Sequence, residues 1–133
     1  VLTADHGMIE ASEQDHIYLE SLEALREIEF ETTGDTRFAE LHLANTDTRA
    51  VIADLAAELG DRAVVTTWQD LIDAGWQVEG ISRAKRPDLV VLARGRTVFY
   101  DRRTAKPQSL KMLGHHGSNT DAETRVPLIR WGI

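Results

Sequence analysis

Two short stretches hold the side chains best suited to chemistry. Asp5-His6-Gly7 follows the aliphatic start Val1-Leu2-Thr3-Ala4, and Gly114-His115-His116-Gly117-Ser118 lies far downstream. A carboxylate and an imidazole both bind zinc or a similar divalent ion. At the carboxyl end of a strand such groups are free of the core, which is where α/β sheets place their ligands. Gly7 would let the backbone turn sharply away and leave room for an ion or a substrate. The plain alternative has Asp5 capping a turn and His6 on the surface, and the tripeptide alone favours it. In the second stretch, neighbouring residues point in different directions, so one ligand and one bystander are expected from His115 and His116. Its alternative is a flexible polar loop with both imidazoles solvated.

The remaining candidates are weaker. His16 follows a polar loop and His42 sits between Leu41 and Leu43, so neither is assigned as a ligand. Arg94, Arg102 and Arg103 could hold a phosphate, but arginines scattered through a chain this charged are usually solvated. There is no glycine-rich phosphate loop and no Gly-x-Ser-x-Gly elbow. Trp76 or Tyr100 could stack on a base, with core packing as the commoner role for such rings.

The elements that must position these residues read as one layered domain. Val1–Ala4 is expected to be a short buried strand. Residues 27–45 read as a hairpin, with Thr33-Gly34-Asp35 as its turn and Phe38, Leu41 and Leu43 on the return strand. Thr46 or Asp47 caps a helix whose Val51, Ile52, Leu55 and Leu59 share a face, and Gly60 ends it. Ala63–Val65 is a strand, and Thr66 or Thr67 caps a second helix carrying Trp68, Leu71 and Ile72. Leu89–Ala93 is apolar throughout, as a central strand buried on both faces would be. Thr97–Tyr100 and Val126–Ile129 are further strands. The fold class is α/β or α+β, a layered sheet with helices.

Bulk properties narrow the partners. The chain has 133 residues, enough for one domain with a real core, and a net charge of −7. That charge argues against a nucleic-acid polymer or an anionic membrane as the main partner. It permits a phosphate-bearing substrate if a bound metal reverses the local field. With no cysteine, any metal must be held by histidines and carboxylates. No apolar run approaches the ~20 residues of a membrane span. A strand-like start without Met reads as the interior of a longer chain. The compartment stays open, with the cytoplasm favoured.

Taken together, the two stretches are far more specific. Thr3-Ala4-Asp5-His6-Gly7-Met8 resembles the Thr/Ser-x-Asp-His-Gly-Met signature of the type I phosphodiesterase and nucleotide pyrophosphatase branch of the alkaline phosphatase superfamily. Gly114-His115-His116-Gly117-Ser118, followed by Glu123-Thr124-Arg125-Val126-Pro127-Leu128-Ile129, resembles that branch's C-terminal Gly-x-His-Gly motif and trailing Val-Pro-Leu strand. The resemblance implies the C-terminal part of an alkaline-phosphatase-like fold, with residues 27–112 as an inserted capping subdomain. It also implies two divalent ions, usually zinc, over a Thr or Ser nucleophile, acting on a phosphodiester or nucleotide substrate through a covalent phospho-enzyme. Asp5 and His6 would bind one ion and His116 the other, with His115 at the variable position. The nucleophile and the other ligands would lie upstream, so no catalytic residue is assigned and the isolated chain is expected to be inactive. Two rival readings remain: another hydrolase of the superfamily, acting on phosphonates or phosphomonoesters, and a non-enzymatic α/β module binding a partner through an exposed hairpin.

Overall fold

The structure is a computed structural model that describes residues 1–76 and 86–132. Residues 77–85, inside the expected capping region 27–112, and residue 133 lie outside the described residues. Its centre is a four-stranded antiparallel sheet of β4 (Phe30–Asp35), β5 (Phe38–Leu43), β6 (Ala63–Thr67) and β7 (Leu89–Ala93), in the order β4-β5-β7-β6. The apolar run of β7 follows from this position. Leu89, Val91 and Ala93 face one layer and Val90 and Leu92 the other, because successive strand side chains alternate.

On the first face lies helix α1 (Thr48–Leu59), whose buried Val51, Leu55 and Leu59 pack with Phe30, Leu41 and Val91. Asp47 caps it by accepting the Arg49 N–H at 3.0 Å, and Gly60 ends it at φ 53°. On the second face lies helix α2 (Trp68–Asp73), which sets Trp68 and Leu71 against Val90 and Leu92. Thr67 and Asp70 close a reciprocal capping box at its start. Phe38 belongs to this second face while Ala39 and Leu41 belong to the first, which explains the broken alternation of the return strand. Trp76 stacks on Phe38 with ring centroids 5.8 Å apart, and the Tyr100 hydroxyl donates to the Ser109 carbonyl at 2.6 Å. Tyr100 is therefore a core ring, while Trp76 leans on Phe38 with its outer side exposed.

Two sequence expectations are corrected here. The hairpin does not turn at Thr33-Gly34-Asp35: Asp35 pairs with Phe38, so Thr36 and Arg37 form the loop. Tertiary bonds override local turn preference, since the Thr36 carbonyl accepts the Phe99 N–H at 2.7 Å and the Arg37 carbonyl accepts the Ala93 N–H at 2.9 Å. Gly34 takes the left-handed backbone, φ 81°, inside the strand, where a Cβ would come 2.3 Å from the Phe38 carbonyl oxygen. The N-terminal strand is also not buried. β1 (Leu2–Thr3) pairs with β10 (Leu128–Ile129), and Leu2, Leu128 and Ile129 are all exposed.

Three small ladders complete the fold. β3 (His16–Tyr18) runs parallel to β8 (Val98–Tyr100), while β1 with β10 and β2 (Ile9–Glu10) with β9 (Gly114–His115) are antiparallel. The last two stitch the beginning of the chain to its final third. They are what brings the chemistry-bearing stretches together.

Candidate metal centre

The β2–β9 register places Ile9 opposite His115 and Glu10 opposite Gly114. Ala11 extends the pairing by donating its N–H to the Leu113 carbonyl at 2.8 Å. Running back from β2, the chain reaches His6; running on from β9, it reaches His116. The two imidazoles stack with centroids 3.7 Å apart and planes 17° from parallel. The Asp5 carboxylate stands beside His6, its Oδ2 3.8 Å from Nε2. Asp5, His6 and His116 therefore converge.

The local hydrogen bonds define how these groups present themselves. His6 Nδ1 lies 2.8 Å from the Gly7 carbonyl oxygen. A carbonyl only accepts, so Nδ1 carries the proton and a neutral ring keeps its lone pair on Nε2. A carbonyl partner of this kind fixes the ring orientation of a ligating histidine in metal sites. Asp5 Oδ1 accepts the His6 backbone N–H at 3.0 Å, leaving Oδ2 free. The Asp5 side chain is 89% exposed and that of His6 36%, so both donors are open to solvent. The chemistry of the donor set fits a divalent ion of zinc type. Among the described residues, no group of three or more histidines and carboxylates is placed to hold a single ion.

His115 is a different residue from its neighbour. It is buried, and both ring nitrogens are engaged: Nε2 donates to the Met112 carbonyl at 3.0 Å and Nδ1 accepts the Thr36 hydroxyl at 2.9 Å. The image of a flexible loop with two solvated imidazoles is thus corrected. Only His116 is exposed. The glycine at its C-terminal side is required, since Gly117 sits at φ 129° and a Cβ there would lie 3.3 Å from Asp35 Cβ.

Two residues the sequence did not single out hold this region from beneath. Arg37, at the hairpin tip, and Glu123, on the short helix α3 (Asp121–Thr124), are both almost fully buried. They form a two-pronged ion pair, Nε to Oε1 at 3.0 Å and Nη2 to Oε2 at 2.8 Å. Arg37 Nη1 donates to the carbonyls of Gly95 and Thr97 at 3.0 and 2.6 Å. Glu123 also accepts the Ser118 N–H at 3.0 Å and the Thr120 hydroxyl. Burial pushes the Glu123 carboxyl up, but the hydrogen bonds from Arg37, Thr120 and Ser118 outweigh it and bring it down to about 2. In the sequence Glu123 stands only as the first residue of the trailing Glu-Thr-Arg-Val-Pro-Leu-Ile stretch. An arginine in a hairpin loop carries no local signal of burial, because its partner lies eighty-six residues away.

Gly7 has a role other than the one expected. A Cβ there would lie 2.0 Å from the Ala122 carbonyl oxygen, and the Gly7 N–H donates to the Glu123 carbonyl at 2.7 Å. The space it frees is filled by α3, not by an ion or substrate. Nor is the hairpin tip available to a partner as an exposed surface, since Arg37 is buried against Glu123.

Comparison with known proteins agrees with this architecture. The fold is similar to those of human and mouse ectonucleotide pyrophosphatase/phosphodiesterase 5, in matches that cover 88% and 93% of this chain. The TM-scores are 0.63 and 0.67 at 17% and 16% identity, which shows a shared fold. This chain spans 29% and 31% of those two structures. No curated protein matches the sequence. The family model for type I phosphodiesterase / nucleotide pyrophosphatase matches residues 1–119, which includes Asp5-His6-Gly7 and His116-Gly117-Ser118 but not the Val-Pro-Leu tail. With nearly the whole sequence matched and both stretches in one place, the chain belongs to the type I phosphodiesterase/nucleotide pyrophosphatase family.

Proposed function

We propose that this chain supplies part of the metal centre of an enzyme that hydrolyses phosphodiester or nucleotide pyrophosphate bonds. Asp5 and His6 would hold one divalent ion and His116 a second, with zinc as the metal best suited to these oxygen and nitrogen donors. When bound, such a pair of ions would supply activation of a hydroxyl nucleophile and charge stabilisation for an in-line displacement. A covalent phospho-enzyme divides the hydrolysis into two such displacements. This chain's own residues orient and present donors. The Gly7 carbonyl fixes the His6 tautomer so that Nε2 is left unprotonated, and the His6 backbone N–H holds Asp5 Oδ1.

The observation that carries the reading is the approach of His6 to His116 across the join between the two stretches. The two rings lie nearly parallel with centroids 3.7 Å apart, which brings an imidazole from each stretch to one place. Three donors over two ions fall short of the three protein ligands that a catalytic zinc usually keeps. The nucleophile and remaining ligands are therefore assigned to sequence outside this chain, and the chain alone is inactive. The test is turnover of a nitrophenyl phosphodiester by the purified chain with added zinc. No turnover above buffer is expected; turnover that disappears in His116→Ala would overturn the assignment of the missing groups.

A further inference from the structure

Each metal-donor stretch is tied to the same short element. The Asp5-His6-Gly7 turn is held by the Gly7 N–H donating to the Glu123 carbonyl, with the Gly7 Cα pressed against the Ala122 carbonyl. The His116-Gly117-Ser118 turn is held by the Ser118 N–H donating to Glu123 Oε1 and by the Ser118 hydroxyl donating to the Ala93 carbonyl at 2.7 Å. Backbone and side chain of one residue thus reach both turns. What fixes Glu123 in turn is Arg37, whose remaining donors are spent on Gly95 and Thr97 beside the central sheet.

We propose that Arg37 and Glu123 are positioning residues that set the spacing of His6 and His116, coupling the rigid central sheet to both halves of the metal centre. The proposal rests on the metal assignment for its functional meaning, but its geometric content stands separately. The energetics favour such a role over simple stabilisation. A buried ion pair contributes little net stability compared with apolar residues of similar volume, because desolvation offsets its attraction. What an apolar pair could not supply is an acceptor for the Ser118 N–H. One misplaced turn would move His116 relative to His6, and catalytic constellations tolerate only about 0.5 Å of error.

The discriminating variant is Arg37→Met with Glu123→Leu, which removes the acceptor without leaving a buried charge. In the metal-free chain, nuclear Overhauser contacts between the His6 and His116 ring protons report the stack directly. They are expected in the wild type and lost in the double variant, while amide signals of β5 and β7 stay in place. Their absence from the wild type, or their survival in the folded double variant, would overturn the proposal. If the double variant does not fold, Gly7→Ala tests the other arm: its Cβ collides with the Ala122 carbonyl and should break the same contacts while the sheet persists. Retained contacts in Gly7→Ala would equally count against it. Zinc titration by calorimetry adds the functional arm. An affinity at least tenfold weaker in the folded double variant is expected, and equal affinity would contradict positioning. Zinc binding in the wild type that is indifferent to His116→Ala would instead sink the metal assignment, leaving the ring contacts to decide the positioning role.

Discussion

Replacing Arg37 by methionine alone asks how much the buried network contributes. The side chain is fully buried and makes four hydrogen bonds, two to Glu123 and two to backbone carbonyls. Methionine fills much of the volume but leaves the Glu123 carboxylate buried without its counter-charge. Breaking a buried pair in this one-sided way costs about 3–5 kcal/mol. A domain of ordinary stability has only about 5–15 kcal/mol in total. With a urea slope near 2 kcal/mol per molar, typical of small domains, the midpoint should fall by about 2 M. Urea titration at pH 7, followed by tryptophan fluorescence and circular dichroism together, measures the shift. Adding Glu123→Leu to the same chain should recover most of the loss, since it removes the orphaned charge. A single variant that loses less than about 1 kcal/mol would refute the reasoning, because Glu123 would then have to be solvated or otherwise paired.

Acid should act on the same pair. The Glu123 carboxyl titrates at about 2 in the fold against 4.5 when unperturbed, so the folded state binds its proton less readily. The stability this confers is complete above pH 4.5 and is lost as the pH falls towards 2, amounting to about 3 kcal/mol. Glu123→Gln should flatten that part of the stability–pH curve, measured by urea titration at steps between pH 5 and 2. Away from the site, Asp47→Ala removes the α1 cap and should cost about 1 kcal/mol in the same assay at pH 7.

Much of the scaffold was legible because its signals are local. The α1 stripe, its Asp47 cap and its Gly60 stop all sit within one short window, and the apolar run of β7 announces a strand with a layer on each face. Asp5, His6 and His116 were legible as a pair of motifs, and the small antiparallel ladders supplied the closeness that spacing along the chain could not. What escaped was decided by distant partners. Thr33-Gly34-Asp35 carries ordinary turn chemistry, yet the loop forms two residues later because Thr36 and Arg37 are bonded to β7, β8 and Glu123. The division of labour between His115 and His116 likewise depends on Thr36, from the far hairpin. Gly7 read as space for a ligand, when the atom filling that space belongs to Ala122.

In the proposed metal centre His6 and His116 are donors and the other histidines are not. His16 and His42 pack against or bond neighbours within the fold, and His115 has both nitrogens engaged. The five imidazoles of this chain can be followed individually by nuclear magnetic resonance as zinc is added at neutral pH. The ring signals of His6 and His116 should shift or broaden together, with those of His16, His42 and His115 unmoved. Zinc that perturbs His115 or His42 instead, or that leaves His6 and His116 unchanged at millimolar concentration, would contradict the assignment.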